Sequence, residues 1–416
     1  IDIDSVMVKN LSISVFILVS CSSTSNSNVL KNIMRSMDSR FSSIINNPDQ
    51  HAMQIVYTQI DRDSTQVPQF TTHAFNVKPK KYFYPASTVK FPAAVLALDK
   101  LRRYESLSIT KDSKLTIKAD QEWMSSVSYD STAQSGNATI GQFIKKIFVV
   151  SDNDAFNRLY EFLGQDHFNQ RMWDLGYPDT RMRHRLSIRL TPEQNKYTNS
   201  FSFYINNTRL LDQPMRYSKL PLAVNSTDNL IGKSYILDEE EINSPMDFSG
   251  KNFFNLLEQQ AFLRQVIFPK HVNVNNRLYL TSEDYSFLYE WMSKLPRESV
   301  HPFYGSYDKY PDGYCKFFMF GDSQKKIPDH IRIYNKVGMA YGFLIDNAYI
   351  IDIKNNIEFF LSAVIYVNEN QTLNDNKYQY NQLGLPFLSE LGTAVYNYEL
   401  ARKRNVDPDL GQFILQ

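Results

Sequence analysis

Strand-forming runs stand near both ends of this chain, with helix-patterned sequence between them. MQIVYTQI (53–60) and HAFNVK (73–78) cluster β-formers around a polar turn, the pattern of a hairpin or of paired sheet strands. Near the other end, IRIYNKVG (331–338), GFLIDNAYIIDI (342–353) and EFFLSAVIYVN (358–368) are apolar, β-branched or aromatic runs separated by short polar turns. Three antiparallel strands are the economical reading of that segment. A sheet that collects both groups must bring the two ends of the chain together around the middle. The expected class is therefore α/β of the α+β kind: an antiparallel sheet flanked by helices, plus a mostly helical domain.

The helices follow from the 3.6-residue period. From about Val29 to Ile45 the apolar positions Leu30, Ile33, Met34, Met37, Phe41, Ile44 and Ile45 recur at three or four, which predicts a first helix. Residues 87–190 alternate helical patterns such as PAAVLALDKLRRY and IGQFIKKIFV with polar loops. Between about 195 and 330 the chain is rich in Asn, Tyr and Phe; helix-like pieces there (NFFNLLEQQAFLRQVI, SEDYSFLYEWMSKL) read as insertion and scaffold. A last helix, LPFLSELGTAVYNYELARKR (385–404), ends in a basic cluster that suits a helix C-terminus.

The first residues are of another kind. LSISVFILVSC (11–21) is an apolar stretch of ~10 residues, short for a bilayer span and typical of a signal-peptide core. Leu18-Val19-Ser20-Cys21 resembles a bacterial lipobox, which makes Cys21 the expected lipidation site; an ordinary secretory signal or a buried strand is the competing reading. Residues ahead of Met7 read as an upstream extension of the frame, and SSTSNSNV after Cys21 as a flexible tether. The expected organisation is a signal with lipobox over 1–21 and a tether over 22–28. The first part of an α/β domain covers 29–86, a helical domain 87–330 with its insertion at about 200–330, and the second part of the α/β domain 331–416. The location expected from the lipobox is the bacterial cell envelope, lipid-anchored and facing the periplasm or the outer membrane.

Charge and cysteine content exclude several classes. With 45 basic and 44 acidic side chains the net charge is +1, so nothing electrostatic argues for nucleic acid, and KPKK (78–81) is a short solvated run. Cys21 and Cys315 are the two cysteines. With Cys21 lipidated, Cys315 has no partner and reads as a packed small hydrophobe among apolar neighbours. The seven histidines (51, 73, 167, 184, 271, 301 and 330) show no metal-ligand spacing, so neither metal nor cofactor is expected. Asn137-Ala138-Thr139, Asn206-Asn207-Thr208 and Asn225-Ser226-Thr227 fit or overlap a glycosylation pattern that carries little meaning in a bacterial lipoprotein.

Three short elements carry chemistry. In YPASTVKFPAAVLAL (84–98), Ser87 precedes an apolar helical run and Lys90 follows one turn later. In a helix whose first turn holds both, their side chains share a face, a nucleophile beside a base. Pro92 places the helix start close to Ser87. In FVVSDNDAFNRLYEFLG, Ser151-Asp152-Asn153 follows an apolar run and opens an amphipathic helix; all three residues cap helices well, so a capping role competes with a chemical one. In NKVGMAYGFLIDNAYI, Lys336-Val337-Gly338 lies on an expected strand, where a glycine lets an acyl group approach the backbone and be held by an N–H.

In this order, the elements resemble S-x-x-K, S-D-N and K-T-G, the signature of the serine β-lactamase and penicillin-binding-protein superfamily, in particular its class A-like branch. The resemblance covers roughly 30–195 and 330–405, with Gly342 and Asp346 continuing the pattern. It implies a β-lactamase/transpeptidase-like fold and acyl transfer on a β-lactam or related amide or ester. By motif, Ser87 would be the acylated nucleophile and Lys90 would help remove its proton. Ser151 would shuttle a proton to the leaving group, Asn153 would hold a substrate amide, and Lys336 would bind a carboxylate. The N–H groups of Ser87 and Met339 would form the oxyanion hole.

Two departures stand out. Val337 replaces the usual hydroxyl residue between lysine and glycine, and the nearest match to the deacylating glutamate is Glu193 in RLTPEQNKYTN. Asn195 or Asn199 follows it at unmatched spacing, so Glu193 reads equally as a turn carboxylate after Pro192. Three functions fit: a β-lactamase-like serine hydrolase, a cell-wall peptidase or esterase with poor β-lactam turnover, and a binding lipoprotein without activity. The expected partners are a small-molecule or peptide substrate and a membrane reached through the lipid anchor.

Overall fold

The computed structural model describes residues 26–413. The signal-like stretch, Cys21 and most of the tether lie outside them. Strands β1 (Gln54–Arg62), β2 (Pro68–Phe75), β3 (Ile331–Ala340), β4 (Phe343–Asp352) and β5 (Ile357–Tyr366) form one sheet in the order β3-β4-β5-β1-β2. Every neighbouring pair is antiparallel. β1 and β5, far apart in sequence, are paired from Gln54↔Val364 to Gln59↔Phe359, which joins the two ends of the chain.

Alternate residues of a strand face opposite sides, so a sheet covered on both faces needs apolar residues in both phases. That is why β4 reads as a continuous run: all ten of its residues are buried. One face packs Tyr57, Ile350, Phe359 and Leu361 against helix α1 (Asn26–Arg35), the short turns after it, and the C-terminal helix (Leu385–Ala401). The other packs Val56, Ile345, Tyr349 and Phe360 against the rest of the chain.

The first helix is not continuous. Asp38 accepts a hydrogen bond from the Arg40 N–H at 2.9 Å and starts a new turn, so α1 is followed by Ser39–Phe41 and Ser42–Asn46. The periodic residues Leu30, Ile33, Met34, Met37, Phe41 and Ile44 are nevertheless buried. Chain direction changes while the apolar face is kept.

In the helical layer, α2 (Lys90–Leu101) is buried all round and lies at the centre of α3 (Ile140–Val150), α4 (Asn153–Leu163) and α5 (Gln165–Asp174). A helix buried on every side is a core helix, and its polar members Asp99 and Lys100 are held by Arg171 and Gln213. The segment expected to be insertion and scaffold divides in two. Residues 200–247 form short strands, among them the hairpin Ser200–Ile205/Thr208–Gln213, whose first strand pairs with Lys114–Lys118. The helix α6 (Leu256–Ile267), by contrast, lies directly on the main sheet. Its buried Gln260 donates to the Val56 carbonyl and to Ser362 Oγ, both at 2.9 Å, and accepts from Thr58 Oγ1 at 2.7 Å. Those bonds satisfy a buried amide and fix how the helix sits.

Phe262 joins the layers, its ring centroid 5.2 Å from that of Phe91 and 5.4 Å from that of Tyr177. Phe262→Ala is expected to lower unfolding free energy by about 3–5 kcal/mol. Denaturant unfolding checks this; a loss below 1 kcal/mol would show that the layers are not coupled through this ring.

Candidate active site

Ser87 stands on a tight turn. Ala86 has φ +48°, a left-handed conformation that costs a non-glycine residue energy, and residues Ala86–Val89 form a 3₁₀ turn before α2 begins at Lys90. The helix therefore starts three residues later than Ser87, and Pro92 still falls in a first turn where no N–H is required. Thr88 braces the turn, its hydroxyl donating to the Pro85 carbonyl at 2.7 Å.

The Lys90 amine is completely buried and turns toward the Ser-Asp-Asn segment rather than toward Ser87. It donates to the Ser151 carbonyl and to Asn153 Oδ1 (2.6 Å), with Ser151 Oγ at 3.3 Å. Lys336 Nζ donates to Ser151 Oγ at 2.8 Å from the other side, and to the Val337 carbonyl at 3.1 Å. One hydroxyl thus lies between two lysines from separate motifs. Among the described residues nothing hydrogen-bonds the Ser87 hydroxyl, which borders two cavities.

Ser151 and its neighbours reach this place through helix ends. Ser151 closes α3 in a left-handed conformation (φ +59°), and Asp152 caps α4 by accepting the Ala155 N–H at 2.8 Å. Capping and site roles coexist in one tripeptide. Asn153 is held further: its Nδ2 donates to Ser187 Oγ at 2.8 Å.

Burial sets the charge of the lysines. It lowers the Lys90 pKa well below the ordinary amine range, and repulsion from Lys336 adds to this. A neutral amine has two N–H groups and a lone pair; with the two N–H groups given to Ser151 O and Asn153 Oδ1, the lone pair is left as a base. Lys336 is lowered to about 8 by burial, with Cys315 and Asp346 opposing. Below that pH it is a cation.

Gly338 brings strand and turn together. A Cβ there would lie 2.7 Å from the Pro85 carbonyl oxygen and 3.2 Å from Ser87 N, so β3 passes flush against the Ser87 turn only because residue 338 has no side chain. Met339, 47% exposed, follows at the junction and borders both cavities with Ser87. Behind β3, Asp346 accepts from the N–H groups of Phe317 (3.0 Å) and Phe318 (3.1 Å) and from Asn335 Nδ2 (2.7 Å). Cys315 is buried and its thiol pKa is raised, as a packed small side chain's should be.

The smaller cavity, about 520 Å³, is walled by Tyr84, Tyr341, Tyr378 and Tyr380 with Asn153 and Ser187. The larger, about 950 Å³, has Ser151, Cys315, Val337 and Tyr314 in its wall. Val337 puts a hydrocarbon side chain into that wall. Ser187 and the tyrosines were not legible in the sequence, since no spacing relates them to the three motifs.

Glu193 lies apart from the other expected site residues. It is exposed, pairs with Lys196 at 2.9 Å and is not among the residues lining either cavity at Ser87. The asparagines after it hold backbone instead. Asn195 Oδ1 accepts the Arg185 N–H at 3.0 Å, and Asn199 Nδ2 donates to the Lys118 and Ser125 carbonyls at 2.9 and 3.0 Å. The buried carboxylate of this region, Glu161, is taken up by Arg158 (3.1 Å) and Arg185 (2.8 Å).

Residues 37–208, which carry Ser87, Lys90, Ser151 and Asn153, match the model of the beta-lactamase enzyme family. The similarity to that family is confined to those residues, which include the Ser87 turn and the Ser151 segment. Among solved structures it is similar to a beta-lactamase from Desulfarculus baarsii at 13% identity, with 90% of this chain and 99% of that one covered and a TM-score of 0.48. A class A beta-lactamase from Clostridium kluyveri is 15% identical, with 86% and 100% covered and a TM-score of 0.46. A search of curated proteins finds no match. Among the described residues, no group of three or more His, Cys, Asp or Glu could hold a metal ion, and no helix is long and apolar enough to cross a membrane.

The two lysines should titrate separately. In NMR of side-chain-labelled lysine, Lys336 is expected to titrate with a midpoint of about 8 and Lys90 well below the ordinary amine range. Two ordinary midpoints near 10.5 would refute this account of the site.

Proposed function

We propose that this protein is a serine hydrolase of the class A-like kind that forms an acyl-enzyme at Ser87 and releases it slowly. The observation that carries the reading is the Ser151 hydroxyl held between Lys90 and Lys336, which links the three motifs. In the proposed reaction Ser87 Oγ attacks the substrate carbonyl carbon while its proton passes to the neutral Lys90 amine. The developing oxyanion takes hydrogen bonds from the N–H groups of Ser87 and Met339, each worth ~3 kcal/mol in such a transition state. As the intermediate collapses, the leaving nitrogen takes the Ser151 proton, which the lysines replace. Cationic Lys336 attracts a substrate carboxylate, and Asn153 holds an amide.

Slow release follows from Glu193. A carboxylate on the surface and paired with Lys196 cannot prime a water at Ser87, and Val337 gives a substrate carboxylate no hydroxyl to bind. Both observations favour an amide or ester substrate of cell-wall peptide type over rapid β-lactam turnover. We also propose that Cys21 is lipidated and holds the enzyme at the cell envelope, on the strength of the lipobox-like sequence. In that case Cys21→Ala shifts the protein from the membrane to the soluble fraction; unchanged membrane recovery would exclude the anchor.

Intact-mass spectrometry with a penicillin tests the chemistry. A persistent adduct is expected on the native chain and none on Ser87→Ala; an adduct on the variant would end this reading, and rapid drug hydrolysis would end the slow-release part. Acylation by a carboxylate-bearing substrate is expected to fall as pH rises through about 8, because Lys336 loses its charge above that value. In Lys336→Met that alkaline limb should vanish, and its persistence would assign the limb to another group.

A further inference from the structure

Segment 183–190 separates the Ser87 cleft from another cavity. Ser187 borders the smaller cavity at Ser87, whereas Arg183, His184, Ile188 and Arg189 line a space of about 920 Å³ closed by residues 217–222 and 247–251. His184 and Tyr84 form the partition, with parallel rings 6.3 Å apart.

Most charges around this space are already matched. Arg183 donates to the Leu222 and Ala223 carbonyls at 2.6 and 2.9 Å, Arg189 pairs with Asp238 at 2.5 Å, and Lys196 pairs with Glu193 at 2.9 Å. Asp247 accepts the Ser249 N–H at 2.8 Å, and Asp166 takes the Ser218 hydroxyl and the N–H groups of Lys219 and Leu220. Lys219 is exposed and free to hydrate.

Two groups are left over. Lys251 is half-buried in the wall, and among the described residues nothing pairs with or accepts from its amine. Removing an ammonium from water without a partner is unfavourable, and burial indeed depresses its pKa. The second group is His184. Its Nδ1 lies 2.6 Å from the Arg185 carbonyl and must be the protonated nitrogen, which leaves Nε2 as an acceptor. Nε2 is buried with no hydrogen-bond partner, and the ring is neutral, its pKa lowered to about 4 by burial, with Lys251 contributing.

We propose that this cavity binds an anionic group that carries its own hydroxyl donor, a phosphate monoester or an α-hydroxy carboxylate on a larger molecule. The anion meets Lys251 and the hydroxyl donates to His184 Nε2. The space is far larger than one anion, so the group is the end of a chain or ring whose remainder lies along residues 217–222. No step of the acyl-transfer reading is needed for it.

Phosphate and sulfate separate the two contacts, because at mildly acidic pH phosphate is an anion with an O–H donor and sulfate an anion without one. Calorimetric titration of the full chain at constant ionic strength should show saturable binding of inorganic phosphate and weaker binding of sulfate. Lactate should follow phosphate if carboxylates are the natural class, and fail to bind if phosphates are. Lys251→Met is expected to weaken phosphate about tenfold or more, as loss of a hydrogen bond to a charged group does. Phosphate should also shift the His184 Nε2 resonance in long-range proton–nitrogen spectra of the native chain, a readout that needs no variant. Absence of phosphate binding, equal affinity for sulfate, an unchanged His184 signal, or full affinity in Lys251→Met would each overturn the proposal.

Discussion

Two lysine amines buried on either side of one serine hydroxyl are the constraint around which the cleft is organised. An unpaired ammonium in a protein interior is strongly unfavourable, so each amine must lose its proton or find acceptors. For Lys90 both tendencies act: it gives its N–H groups to a backbone carbonyl and an asparagine oxygen, while burial, and after it repulsion from Lys336, lowers its pKa. The left-handed end of α3 at Ser151 turns its carbonyl toward Lys90 while its hydroxyl reaches Lys336. A residue that reads as a helix cap is thereby placed between two amines.

The larger architecture supplies the burial. β3 lies against the Ser87 turn because Gly338 leaves room for the Pro85 carbonyl, and it is kept there by a sheet that is apolar on both faces. The helix α6 closes one face through Gln260 and Phe262, which makes part of the long middle segment integral to the core rather than an addition to it. Residues 217–222, outside the short strands of that segment, have another role: together with 183–190 and 247–251 they enclose a cavity separate from the one at Ser87.

Much of the fold was legible because its signals are local. The sheet strands show as long apolar runs because both faces are covered, and the C-terminal helix and α2 show by their period. The break at Asp38 was missed since apolar spacing of three or four continues across it; a side chain capping the next turn outcompetes helix continuation without disturbing the buried face. Glu193 was open to two readings for a related reason. A glutamate after proline near asparagines has the right composition for a water-activating loop, but the structure turns it outward to Lys196 and uses the asparagines to hold backbone.

By itself the sequence determined the chemical inventory and its order: a serine one turn before a lysine, a capping tripeptide, and a lysine and a glycine on an apolar strand. These follow from short-range spacing, which helix and strand periods convert directly into shared faces. Tertiary structure alone decided which groups meet. It turned Lys90 toward Ser151 instead of Ser87, brought Ser187 to Asn153, set four tyrosines around the smaller cavity, and left Lys251 and His184 Nε2 without partners. The physical reason is that hydrogen bonding and desolvation depend on what lies within a few ångströms in space, and residues far apart along the chain carry no mark of one another.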